Sequence, residues 1–135
     1  MKLTAEQISK IQQPTPIDQL EEKDMGYGVL TYVSIGYIID VLNDIFNFDW
    51  SFEVTDQQVG NVNVYVRGKL TVGDISKEQY GGSAIKFTKE IYKDGILVKP
   101  SKVMDIGNDL KSASSDALKK CASLFGIASD VYNPK

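Results

Sequence analysis

The sequence predicts an α+β fold in which an antiparallel β-hairpin and a third strand pack with helices. Two observations carry this. Apolar residues recur at three- and four-residue steps on either side of a central region, and within that region, from Trp50 onward, the period drops to two. The strand-like runs also follow one another directly, separated by turn residues rather than by helices, so the sheet is antiparallel and covered on one side.

At the start of the chain, TAEQISKIQ opens on a Thr cap and sets Ile8 and Ile11 three apart, the pattern of a short amphipathic helix. Pro14 and Pro16 end it, and the acidic EEKDMGYG that follows reads as a loop. Between Ser34 and Asn47, the residues Ile35, Ile38, Ile39, Leu42, Ile45 and Phe46 mark a second helix, with Ser34 as N-cap and Tyr32 just before it. WSFEVTD then places Trp50, Phe52 and Val54 on one strand face. After the QQVGN turn, VNVYVRGKLTV sets Val62, Val64 and Val66 on one face with Tyr65 and Arg67 on the other. GDISKEQYGG reads as a second turn, IKFTKEIY as the third strand, and ILVKPSKV as a further extended segment across a tight KDG turn. A closing helix runs from about Asp105 or Asn108 to Phe125, with Gly126 at the C-cap. The 135 residues fit one domain, with 1–27 as an N-terminal arm and short helix and 28–130 as the core.

Composition narrows the function classes. With 42% hydrophobic and 24% charged residues the chain should fold as an ordinary soluble protein. No run approaches the roughly 18 apolar residues of a membrane helix, and MKLTAEQISK lacks the apolar stretch of a signal peptide, so the expected location is the cytoplasm. The sequence has no histidine, which removes the commonest general base and metal ligand. It also lacks the P-loop and dinucleotide-binding glycine motifs, so ATP-driven work is not expected. Cys121, the single cysteine, sits at a helical core position and reads as a small buried apolar residue. No cofactor, metal or catalytic residue is expected, which leaves binding.

The formal charge is −3, but residues 1–82 hold 6 Lys and Arg against 12 Asp and Glu, whereas 83–135 hold 9 against 6. A local phosphate-binding surface produces such an asymmetry, and so does a solvated lysine-rich face. The basic part contains DLKSASSDALKKCASLFG, residues 109–126. At about 100° per residue, Leu110, Ala113, Ala117, Leu118, Cys121, Leu124 and Phe125 gather on the sheet-facing side. Lys119 lies opposite, flanked by Ser112, Ser115, Ser123 and Asp116, with Lys111 and Lys120 on the shoulders. Serine is a weak helix former, so short hydroxyls around lysine suit a close approach by phosphate oxygens; plain exposure to solvent accounts for the same residues. Tyr32 and Tyr65 suit either packing or stacking on bases, and Arg67 suits either an acidic neighbour or a strand of DNA.

Two segments together resemble the single-strand annealing proteins of the Rad fifty-two type, including phage recombination relatives. TYVSIGYIIDVLNDIFNFDWSFEV is similar to that family's tyrosine, helix and tryptophan-bearing first strand, and DLKSASSDALKKCASLFGIA to its closing core helix. NVNVYVRGKLTV followed by YGGS resembles the central strand and glycine-containing turn, so the likeness covers about residues 28–130 in family order. It implies an annealing domain that assembles into rings or helical filaments and holds single-stranded DNA in a basic groove without ATP or metal. Under that resemblance, Lys119 and Lys120 fall on the family's basic pair, Tyr32 on its groove tyrosine and Lys111 on a further basic position. The family's next arginine is Ser123 here and a basic position in the earlier helix is Tyr37, with Arg67, Lys86, Lys89 and Lys102 as candidates to compensate. The eukaryotic tail that recruits a recombinase has no counterpart, which points to a compact phage or bacterial protein acting in recombination or repair, with a host single-stranded DNA-binding protein as a further partner. Rival readings are a protein that protects single strands without annealing them, an acidic protein-interaction module, and a metal-dependent enzyme using Asp105, Asp109 and Asp116.

Overall fold

The computed structural model describes residues 2–135. The first helix, α1 (Ala5–Gln12), is closed by a capping box: Gln7 N–H donates to Thr4 Oγ1 at 3.1 Å and Thr4 N–H donates to Gln7 Oε1 at 2.8 Å. The Gln7 amide also reaches the carbonyl of Ile45, and Thr15 makes two hydrogen bonds to the Asp130 carboxylate, so the N-terminal residues are tied to the second helix and to the last.

The acidic stretch expected as a loop is instead a hairpin, β1 (Glu21–Asp24) with β2 (Val29–Tyr32). Its turn is built by Asp24, whose Oδ1 accepts the Gly26 N–H at 2.8 Å, and by Gly26 at φ 87°. Because Glu21–Asp24 contains no apolar residue, the strand leaves no hydrophobic pattern. Helix α2 (Ile35–Phe46) follows as expected, capped by Ser34 and stopped by Asn47 at φ 55°. Ile38, Leu42, Ile45 and Phe46 are buried, and the Trp50 indole N–H donates to Asn43 Oδ1 at 2.7 Å, joining the helix to the sheet that follows.

That sheet has the order β3 (Trp50–Val59), β4 (Asn63–Val72) and β5 (Ile75–Ala84), antiparallel throughout. Its third strand is therefore ISKEQYGGSA, not IKFTKEIY, and the turn lies earlier, at Gly73 and Asp74, where Val72 pairs with Ile75. Gly81 and Gly82 are both strand residues, and helix α3 (Ile106–Leu124) lies directly on Gly81. A Cβ at Gly81 would overlap the Ala117 amide nitrogen and sit 2.5 Å from the Ala113 carbonyl oxygen. Val64, Val66, Leu70 and Val72 face α3 and are buried; Val62, expected with them, precedes the strand and is exposed.

IKFTKEIY instead starts a projecting arm. Ile85 closes a small cluster with Val64, Val66, Ala113 and Ala117. Beyond it, a single bridge joins Phe87 to Val103, and β6 (Ile91–Lys93) pairs with β7 (Ile96–Lys99). Asp94 at φ 53° and Gly95 at φ 76° give the tight turn its type I′ twist. Helix α3 begins at Asp105, whose side chain accepts the Asn108 N–H, and ends at Gly126 with φ 103°. Leu124, assigned to the buried face, is exposed, while Ala122 is buried because α2 packs on a second side of the helix. A short helix, α4 (Ser129–Tyr132), follows without a clear sequence signal.

Gly81→Ala should lower stability by about 3 kcal/mol or more, because the helix must lift to admit a methyl group. Gly82→Ala, facing only the Tyr65 ring at 3.1 Å, should cost about 1 kcal/mol or less. Urea denaturation of the two variants checks both.

Candidate nucleic-acid interface

The outward face of α3 is not bare. Hairpin β1–β2 brings Tyr32 over it, and the Lys119 ammonium sits 5.5 Å from the Tyr32 ring centroid, within cation–π range. The Tyr132 hydroxyl accepts the Val33 N–H at 3.3 Å and pins the same junction from α4. Burial pulls Lys119 below the ordinary lysine value, against the opposing pull of the Asp116 and Glu21 carboxylates. Glu21 is there because it pairs across the hairpin with Tyr32.

Lys120 lies one residue on and is held differently. Its Nζ is 2.9 Å from Asp116 Oδ2, and the same oxygen accepts the Gly82 N–H at 3.0 Å. Asp116 therefore clamps β5 to α3 and steers Lys120, a role that the i,i+4 spacing of Asp116 and Lys120 foreshadows in the sequence. Lys111 is exposed about 12 Å back along the helix axis. Ser112 is exposed and Ser115 half-buried, but Ser123 is not on the outward arc. It is buried, donating to the Lys120 carbonyl at 2.6 Å and accepting from the Asn133 amide at 2.8 Å.

The remaining candidates lie elsewhere. Strand alternation puts Tyr65 and Arg67 on the sheet face away from α3, since Val64 and Val66 pack beneath Ala113 and Ala117. Tyr65 is half exposed across from Gly82, and Arg67 pairs with Glu78 at 3.0 Å. Lys102 is on the projecting arm, where its backbone is bonded to Thr88. Asp105, Asp109 and Asp116 each bind a different backbone amide, those of Asn108, Lys86 and Gly82, and do not converge. Tyr32, Lys119 and Lys120 are the candidates brought together, with Asp116, already expected beside Lys119, and Glu21, which the sequence did not single out, as partners.

Residues 4–135 match the Rad52/22 family of double-strand break repair proteins. The chain belongs to this family. Among curated relatives, the single-stranded DNA-binding protein DdrA of Deinococcus deserti is 32% identical over 105 residues, which is 78% of this chain and 42% of the relative. The protein of the same name from Deinococcus radiodurans is 28% identical over 140 residues, covering 98% of this chain and 57% of the relative. The chain thus spans about half the length of the curated relatives it matches. The α+β architecture, a three-stranded antiparallel sheet packed against helices, accords with the Rad52/22 family. No helix among the described residues is long and apolar enough to cross a membrane.

Asp116→Asn retains an oxygen for the Gly82 amide and should keep the fold, whereas Asp116→Ala should cost about 1–2 kcal/mol in denaturation experiments. Lys119 gives the opposite sign. The folded chain holds its proton less tightly than the unfolded chain does, so the charged form costs stability below its lowered pKa, and the cost is relieved as pH rises toward the ordinary lysine value. Lys119→Met, which keeps the stem and removes the charge, should therefore melt at the same or a higher temperature at neutral pH.

Proposed function

We propose that this chain binds single-stranded DNA and anneals complementary strands during recombination or repair, without ATP or metal, as a homo-oligomer in the cytoplasm. The observation that carries the reading is the Tyr32–Lys119 stack with Lys120 beside it. A cation that is partly desolvated, yet kept charged by Asp116 and Glu21, attracts a phosphate more strongly than a fully hydrated lysine. Lys120 is steered by a carboxylate that an incoming phosphate can replace, at the cost of separating one partly exposed ion pair. Tyr32 offers an aromatic edge at the same point, so backbone and base are engaged together. Phosphate neutralisation also reduces repulsion between two strands as they meet.

The printed names of the two Deinococcus relatives, both single-stranded DNA-binding proteins, support the choice of ligand. Family membership supports the role in strand-break repair. No catalytic residue is assigned. Tyr65 and Arg67 face the other side of the sheet, where Arg67 is paired with Glu78, so we place neither in the binding groove.

Annealing of complementary fluorescent oligonucleotides without ATP or metal tests the proposal. Native protein should accelerate annealing, and Lys119→Ala/Lys120→Ala should reduce the rate by about tenfold or more while remaining folded. Losing two phosphate contacts should also flatten the salt dependence of single-strand affinity by about 1.4 log units per log unit of salt. Arg67→Gln should leave both within about twofold. Tight binding by native protein with no acceleration would reduce the function to strand protection, and no binding at low salt would overturn it.

A further inference from the structure

The chain exposes more surface than its mass requires. Its accessible area is 9061 Å², against roughly 7,000 Å² for a compact protein of this size. The excess, on the order of 2,000 Å², is comparable to what a standard protein–protein interface removes from both partners. Both projecting hairpins contribute to it, since the strands of each are exposed along almost their whole length. Around β1–β2 the exposed apolar residues include Ile17, Tyr27, Val29 and Leu30; on the arm they include Tyr92, Ile96, Leu97 and Val98. Each strand of either hairpin has one partner strand, which leaves an outer edge of unpaired backbone groups.

The two hairpins carry opposite charge. Residues 17–32 hold four carboxylates and one lysine, whereas 86–104 hold five lysines and two carboxylates, giving −3 and +3. Among the described residues, no ion pair engages Asp18, Glu22 or Asp24, nor Lys86, Lys89, Lys93, Lys99 or Lys102, although Lys10, Arg67 and Lys120 all find carboxylate partners. The register turns Glu22 and Thr31 to the face opposite Tyr32, away from α3. The hairpins are also set apart: the arm leads into the N-terminus of α3, and β1–β2 meets α3 at Lys119, toward its other end.

From this we infer that the basic β6–β7 arm of one copy docks on the acidic outer face and edge of hairpin β1–β2 in the next copy. Each copy presents both halves of the contact, so the interface is head-to-tail and extends into a ring or an open filament. Apolar residues on both hairpins supply burial, and the opposite charges fix which hairpin meets which. The inference rests on the assembly that the proposed function includes, but not on its DNA chemistry.

The test is molar mass by light scattering without DNA, at low salt, on folded proteins. Native chain should assemble. Lys93→Glu/Lys99→Glu, which takes the arm from +3 to −1, and Glu22→Lys/Thr31→Lys, which takes the hairpin from −3 to 0 and makes its outer face basic while sparing the Asp24 turn, should each fall to a smaller species. Mixing the two variants, or combining all four substitutions in one chain, should restore assembly. As a check that needs no variant, carbodiimide should join carboxylates of residues 18–24 to lysines of 86–102 between copies of the native protein. A monomeric native chain, or reversals that leave the mass unchanged, overturns the inference. Loss of single-strand affinity in the arm variant with unchanged mass would assign the arm to nucleic acid instead. Assembly that behaves as stated in a protein that does not anneal would leave the inference standing and remove only the proposed function.

Discussion

The close approach of α3 to β5 is the constraint on which the rest of the structure depends. With glycine at position 81 the helix backbone rests on the sheet backbone, and Ala113 and Ala117 supply side chains small enough to permit it. Gly68 does the same on the neighbouring strand, where a Cβ would strike the Phe52 ring. A helix held this low brings Asp116 within 3.0 Å of the Gly82 amide, and that bond fixes the azimuth of α3. Once the azimuth is set, Lys119 must point away from the sheet and toward Tyr32.

The electrostatics at that point follow from packing. The Lys119 ammonium sits between hairpin β1–β2 and α3, where water is partly excluded and an aromatic face stands in for part of its hydration. A carboxylate nearby keeps it charged, and a second use of the same carboxylate keeps Lys120 adjacent. A similar arrangement recurs at the edge strand, where Lys77 lies over the Phe125 ring at 5.4 Å and lets a lysine occupy the inner face of the sheet. In both places a long cationic side chain covers apolar surface while its head stays polar.

Helices α1, α2 and α3 were legible in the sequence because each begins at a residue that caps it and carries a clear three-to-four period. Strand β4 was legible from its strict alternation. Strand β5 was not: beyond Ile75 at its start, its inner positions are Lys77, Gln79, Gly81 and Ser83, which are covered by helix backbone and by the stem of Lys77 rather than by facing apolar side chains. Two adjacent glycines then imitate a turn. Hairpin β1–β2 was hidden because its first strand is wholly charged or polar, and it draws its position from Tyr32 at its far end. For the site, Lys119, Lys120 and Tyr32 were visible one by one, but their proximity depends on that hairpin. The separation of Tyr65 and Arg67 from them became apparent only once α3 was known to cover the valine face of β4.

The seam between helix and sheet also contains a reporter. Cys121 is fully buried, its thiol donates to the Gly68 carbonyl at 3.4 Å, and burial pushes its pKa up, so it stays protonated and sheltered. A thiol reagent reaches it only when α3 rises from the strand beneath. Because it is the chain's one cysteine, the labelling rate is a clock for that single breathing motion. Whatever tightens or loosens the seam, whether a ligand on the outer face of the helix or a neighbouring copy, changes the tempo of that clock without touching the sulfur.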